Sequence, residues 1–115
     1  MKKKQQIKTL CDTDFYKQLR TTEGLSIIVC EYEKSVATYI MSSIIDKLFH
    51  KYNSDIRFYQ VDIQKNERLQ KEFSLSDFTI LFFSNGDLVD YKSGIVSESE
   101  LQKMILKLFN NSSQE

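Results

Sequence analysis

Residues 84–101 constrain the fold of this chain more than any other stretch, because they specify a tight hairpin, a glycine break and a capped helix in fixed order. Asn85-Gly86 tolerates the positive φ angles of a two-residue type I′ turn, so residues 79–83 and 88–93 are predicted to be antiparallel neighbours. Gly94 interrupts the second strand. Ser97 and Glu100 then have capping-box spacing ahead of Leu101, Met104, Ile105 and Leu108, which fall on one helical face.

Upstream, strand and helix signals alternate. Ile7 and Leu10 suggest a short edge strand, and Asp12-Thr13-Asp14 offers capping oxygens for a short helix carrying Phe15, Tyr16 and Leu19. After Gly24, residues 25–30 read Leu-Ser-Ile-Ile-Val-Cys, a nearly continuous apolar run of strand length, which predicts a central strand buried on both faces. Val36, Tyr39, Ile40, Ile44, Leu48 and Tyr52 recur at three- and four-residue spacing with no glycine or proline between them, so a long helix is predicted over 35–52. A β-rich segment around 56–61 and a shorter helix over 66–73 follow. The polar residues 110–115 are expected to fray. The order β-α-β-α-β-α-β-β-α implies an α/β domain with a mixed central sheet and helices on both faces.

The chain has 115 residues, enough for one domain (1–115, core about 7–109) with a real core and no need of disulfide or metal staples. Formal net charge is +0, so no field draws in nucleic acid or an anionic membrane, and neither partner is expected. Lys2, Lys3 and Lys4 precede Gln5, Gln6 and Lys8 instead of an apolar run, so export is not expected, and no stretch reaches the roughly 20 apolar residues of a spanning helix. Two cysteines are too few for a disulfide framework, which makes a reduced cytoplasmic setting the expectation.

The carboxy-terminal pattern, N-G-x(5)-K-x-G-x-x-S-x-x-x-L on Asn85, Gly86, Lys92, Gly94, Ser97 and Leu101, resembles the ending of the thioredoxin family. Val61-Asp62 with Asn66 is similar to that family's V-D-x-x-x-N step. The resemblance extends over residues 7–109 and implies a thioredoxin-like fold, although a fold alone does not assign an activity. Carried onto this sequence, the family's Cys-x-x-Cys falls at Ser35-Val36-Ala37-Thr38. Its buried acid falls at Val29, and its cis-proline at Phe78, in a chain without proline. Since a non-prolyl cis bond costs about 3–4 kcal/mol, a trans peptide and a reshaped loop are expected before Thr79. A dithiol couple works because a helix N-terminus lowers the pKa of one exposed thiol and the second resolves the mixed disulfide. A serine hydroxyl does neither.

The leading expectation is therefore a redox-inactive, non-enzymatic adaptor that binds another protein through the face where the family has its active site. Tyr32, Ser35, Val36, Tyr39 and Phe78 are the candidate interface residues, and no cofactor or metal is expected. The alternative is a thiol-disulfide oxidoreductase or glutathione-dependent enzyme that uses a single thiol, Cys11, or a bound cosubstrate. An assembly role through an edge strand or outer helix is the third. Cys30, in the central run, reads as a small buried hydrophobe, and a Cys11–Cys30 disulfide is disfavoured because the implied fold sets another strand between theirs. Ser35 reads as a helix cap, and His50 as a solvated helix residue.

Overall fold

In the computed structural model, which describes residues 7–113, the run at 25–30 forms all but the last residue of strand β2 (Leu25–Glu31) and is buried from Leu25 to Cys30. Side-chain alternation divides this strand between two cores. Leu25, Ile27 and Val29 point to one face of the sheet and Ile28 and Cys30 to the other. Such a strand must lie inside the sheet, and the strand order is β1-β3-β2-β4-β5. The outer members are β1 (Lys8–Thr9) and β5 (Asp87–Ser93), with β3 (Arg57–Asp62) and β4 (Phe78–Ser84) flanking the centre. β1, β3 and β2 run parallel, whereas β4 and β5 are antiparallel, so the sheet is mixed as expected.

Helices cover both faces. α2 (Val36–Tyr52) sends Ala37, Met41, Ile45, Leu48 and Phe49 into the first core, where Leu101 and Ile105 of α4 (Glu98–Ser113) join them. α1 (Phe15–Arg20) contributes Phe15 and Leu19 to the second core, and α3 (Glu67–Glu72) contributes Leu69. Each fully buried large apolar side chain of this kind is worth roughly 1.5–3 kcal/mol over leaving it in water. A 3₁₀ turn (Ile63–Lys65) links β3 to α3.

The local signals act mostly where the sequence put them. Asn85 and Gly86 adopt φ of 50° and 90°, and the Asn85 side chain accepts the Gly24 amide at 2.7 Å, tying the hairpin tip to the start of β2. Ser97 Oγ accepts the Glu100 amide at 3.1 Å. Two expectations need correction. Nothing stops α4 at residue 110: with neither glycine nor proline there, the helix continues through Ser113, and the described part of the expected fray is helical.

Asp12 also does not serve its neighbouring helix. Its carboxylate accepts the amides of Arg68 at 3.2 Å and Leu69 at 3.0 Å, capping α3, while its own amide donates to Asn66 Oδ1 at 2.8 Å. Asp14, next to α1, accepts the Cys11 amide instead and makes no cap bond to α1. The result is a clasp between the loop after β1 and the first turn of α3. Buried Asn66 extends it by donating to the Asp62 carbonyl at 2.8 Å.

Candidate functional site

The parallel strands β1, β3 and β2 all end beside the amino-terminal turn of α2, where the four residues Ser35-Val36-Ala37-Thr38 sit. Ser35 has extended backbone (φ −75°, ψ 142°), and its Oγ accepts the Thr38 amide at 3.2 Å, so the serine caps α2 as expected. Ala37 turns into the core. Val36 and Tyr39 turn outward and are 72 % and 82 % exposed, with Ile40 at 43 % on the adjoining helical position. One helical turn thus carries three apolar or aromatic side chains that contribute nothing to either core.

The other proposed interface residues do not join this patch in the same way. Tyr32 is half-buried, its hydroxyl accepts from Gln70 Nε2 at 2.9 Å, and its amide donates to the Asp77 carbonyl, which fastens it to α3 and to the loop before β4. Phe78 is fully buried, a correction to its expected exposure. The peptide bonds of the described residues are all trans, and Ser74 and Asp77 take φ of 52° and 56°, so the loop turns sharply and β4 already begins at residue 78. Pairing with Glu31 then sets Phe78 on the same face as Ile80 and Phe82, beneath α2 and α4.

Beside the α2 turn lies a cleft of about 480 Å³, lined among others by Cys11, Glu31, Glu33, Thr38, Asp62 and Lys65. Thr38 Oγ1 is buried without a hydrogen-bond partner. Glu31 and Asp62 are in-register neighbours on parallel strands, so their carboxyl groups share a face of the sheet. Burial holds the Glu31 carboxyl above its ordinary range, and the nearby charge of Asp62 adds to the effect. Lys65 Nζ is 4.0 Å from Asp62 Oδ2 on an exposed side chain, which gives only weak compensation. This pair can hold or pass a proton, but Cys11 is the only thiol on the cleft. The carboxylate pair escaped sequence reasoning; its one signal was the Val61-Asp62 step, set beside the residue that follows Cys30.

The two cysteines are far apart in environment. Cys11 is exposed, with Sγ 3.2 Å from Thr13 Oγ1. Cys30 is fully buried in the second core, and burial, helped by the charge of Glu31, pushes its thiol up to about 12. Both are free, and β3 lies between β2, which carries Cys30, and β1, which Cys11 follows by two residues. His50 is exposed on α2, with Nδ1 2.8 Å from the Asp46 carbonyl. Among the described residues no group of three or more His, Cys, Asp or Glu side chains is placed to hold a metal ion, and no helix is long and apolar enough to cross a membrane.

Comparison with curated proteins returns no match. The family model described as thioredoxin matches residues 6–107. That span contains the sheet, the hairpin, the α2 turn and most of α4. With nearly the whole chain matched and the mixed five-stranded sheet in place, the chain belongs to the thioredoxin family.

Proposed function

We propose that this protein is a degenerate, redox-inactive member of the thioredoxin family that works as an adaptor, binding another protein through the first turn of α2. The observation that carries this reading is the exposure of Val36 (72 %) and Tyr39 (82 %) beside a helix cap where serine and threonine stand in place of a thiol pair. Leaving two such side chains in water gives the fold nothing. A tyrosine offers a large, stiff, amphipathic contact surface, and aromatic residues are enriched in the centres of protein interfaces. Ser35, immediately before this turn, would sit at the rim, Phe78 would support the surface from beneath, and Tyr32, packed against the second core, would lie at its margin. Zero net charge and two free cysteines fit a protein partner in the cytoplasm and give no attraction to nucleic acid or membrane.

Tyr39→Asp and Val36→Asp test this reading. Both variants should keep the wild-type melting temperature, because neither residue is in a core. Each should lose proteins that the wild type captures from an extract of its native host, since loss of an interfacial aromatic anchor commonly weakens binding about thirtyfold or more. An unchanged set of captured proteins with both folded variants would refute the proposal.

A second reading, a single-thiol oxidoreductase or glutathione-dependent enzyme, draws on the exposed Cys11 at the cleft rim. Glu31, Glu33 and Asp62 on the same cleft oppose it, because they repel the two carboxylates of glutathione, with Lys65 the one basic side chain among the lining residues.

A further inference from the structure

We infer that the protein pairs with a second copy of itself through β5, edge to edge and antiparallel, with Tyr91 opposite Tyr91 on the two-fold axis. This inference is independent of the α2 surface, which lies beyond the other side of the sheet's centre. β5 is the open edge of the sheet, paired only with β4. It carries Leu88, Val89 and Tyr91 at 44, 46 and 62 % exposure, and the charges that would protect such an edge, Asp87, Asp90 and Lys92, are of both signs.

The register follows from the hydrogen bonds of the hairpin. The Gly94 amide donates to the Phe78 carbonyl at 2.8 Å, so Phe78–Gly94 is a hydrogen-bonded pair. Antiparallel pairs alternate, which makes Ile80–Lys92 hydrogen-bonded and Leu81–Tyr91 not. The main-chain groups of Tyr91 and Ser93 therefore point away from β4, toward the open edge. Consistent with this, the Tyr91 amide donates to the Asp90 carboxylate at 2.8 Å instead of to β4.

A second β5 centred on Tyr91 meets these edge-facing groups with its own Tyr91 amide and carbonyl. The same register sets Asp90 opposite Lys92 of the second copy, and Lys92 opposite its Asp90. Moving the centre one residue either way sets Asp90 against Asp90 or Lys92 against Lys92, and like charges directly opposite are destabilising. The sequence around Tyr91 is thus self-complementary in one register. Pairing frees the Asp90 carboxylate from the Tyr91 amide, which then donates to the second copy. Lys92 holds Glu100 of α4 at 2.5 Å, and an ammonium with three donors can serve both acids. The bulge between Phe82 and Phe83 leaves Val89 as the extra residue on β5, and the hairpin pairing resumes at Phe83–Leu88, so the strand bends between Tyr91 and the hairpin tip.

Sedimentation equilibrium of the full chain tests the inference. The wild type should associate to a dimer with a dissociation constant on the order of 100 µM, as suits a small edge contact. Asp90→Lys alone and Lys92→Asp alone should each weaken self-association roughly thirtyfold, by turning two attractive pairs into two repulsive ones. An equimolar mixture of the two variants should restore it, because every facing pair in the mixed dimer is again of opposite sign. In a Cys11→Ser background, Tyr91→Cys should form an intermolecular disulfide faster than Ser93→Cys, since only residue 91 faces its own copy. A wild type that stays monomeric up to about 1 mM would overturn the inference and leave the edge to an extended segment of another protein. So would variants that still dimerise alone, a mixture that stays monomeric, or equal cross-linking at 91 and 93.

Discussion

Asp12 is joined to α3 by hydrogen bonds that cross more than fifty residues of sequence, and its replacement by alanine should cost more than any other loss of a surface carboxylate. In Asp12→Ala the Arg68 and Leu69 amides lose their acceptor. Arg68 is exposed and can turn to water, whereas Leu69 is buried, so its amide is the harder to satisfy. Removing a helix cap costs about 0.5–2 kcal/mol, and two charge-assisted bonds place this one near the top, about 2 kcal/mol. For a domain of this size that corresponds to a fall of roughly 8 °C in melting temperature. Urea unfolding should show a lower midpoint with an unchanged slope. Asp14→Ala, which removes one bond to the exposed Cys11 amide, should cost well under half as much. A loss below about 0.5 kcal/mol for Asp12→Ala, or a larger loss for Asp14→Ala, would refute the clasp and favour ordinary capping of α1.

Three further outcomes are expected. A thiol reagent should modify Cys11 readily in the native protein and Cys30 only after denaturant is added, because Cys30 is buried and its thiol lies up at about 12; equal, fast labelling would refute its place in the central strand. Phe78→Ala should destabilise by about 3–5 kcal/mol by opening a cavity in the core, while Tyr39→Ala should change stability by less than about 0.5 kcal/mol, both read by urea midpoints. The raised Glu31 carboxyl keeps its proton in the folded chain at pH values where the unfolded chain, titrating near 4.5, has lost it. Stability should therefore fall as pH rises from about 4.5 through the folded-state value, and Glu31→Gln should flatten that fall and be at least as stable at neutral pH; a steeper fall in the variant would contradict the sign.

How much was legible in the sequence depended on how local the cause was. β2 announces itself because a strand covered on both faces must be apolar at nearly every position, and the Asn85-Gly86 turn because its backbone angles suit few other residues. Ser35 and Ser97 cap the helices that follow them within a turn, so adjacency was enough. Asp12 looked the same by adjacency, yet its acceptor oxygens reach a helix start more than fifty residues away. Phe78 failed for another reason. In a strand the side-chain face reverses at every residue, so the placement of Phe78 depended on where β4 begins, which the loop angles at Ser74 and Asp77 decide. Glu31 and Asp62 become neighbours only through the parallel register of β2 and β3, which neither segment encodes alone.

The central claim is that the α2 turn no longer performs thiol chemistry, and insulin reduction driven by dithiothreitol tests it most directly. The purified protein should precipitate insulin no faster than dithiothreitol alone, because the turn holds Ser35 and Thr38 and the buried Cys30 cannot reach a substrate. Clear turnover by the wild type that disappears in Cys11→Ser would contradict the claim and establish a single-thiol mechanism at the cleft.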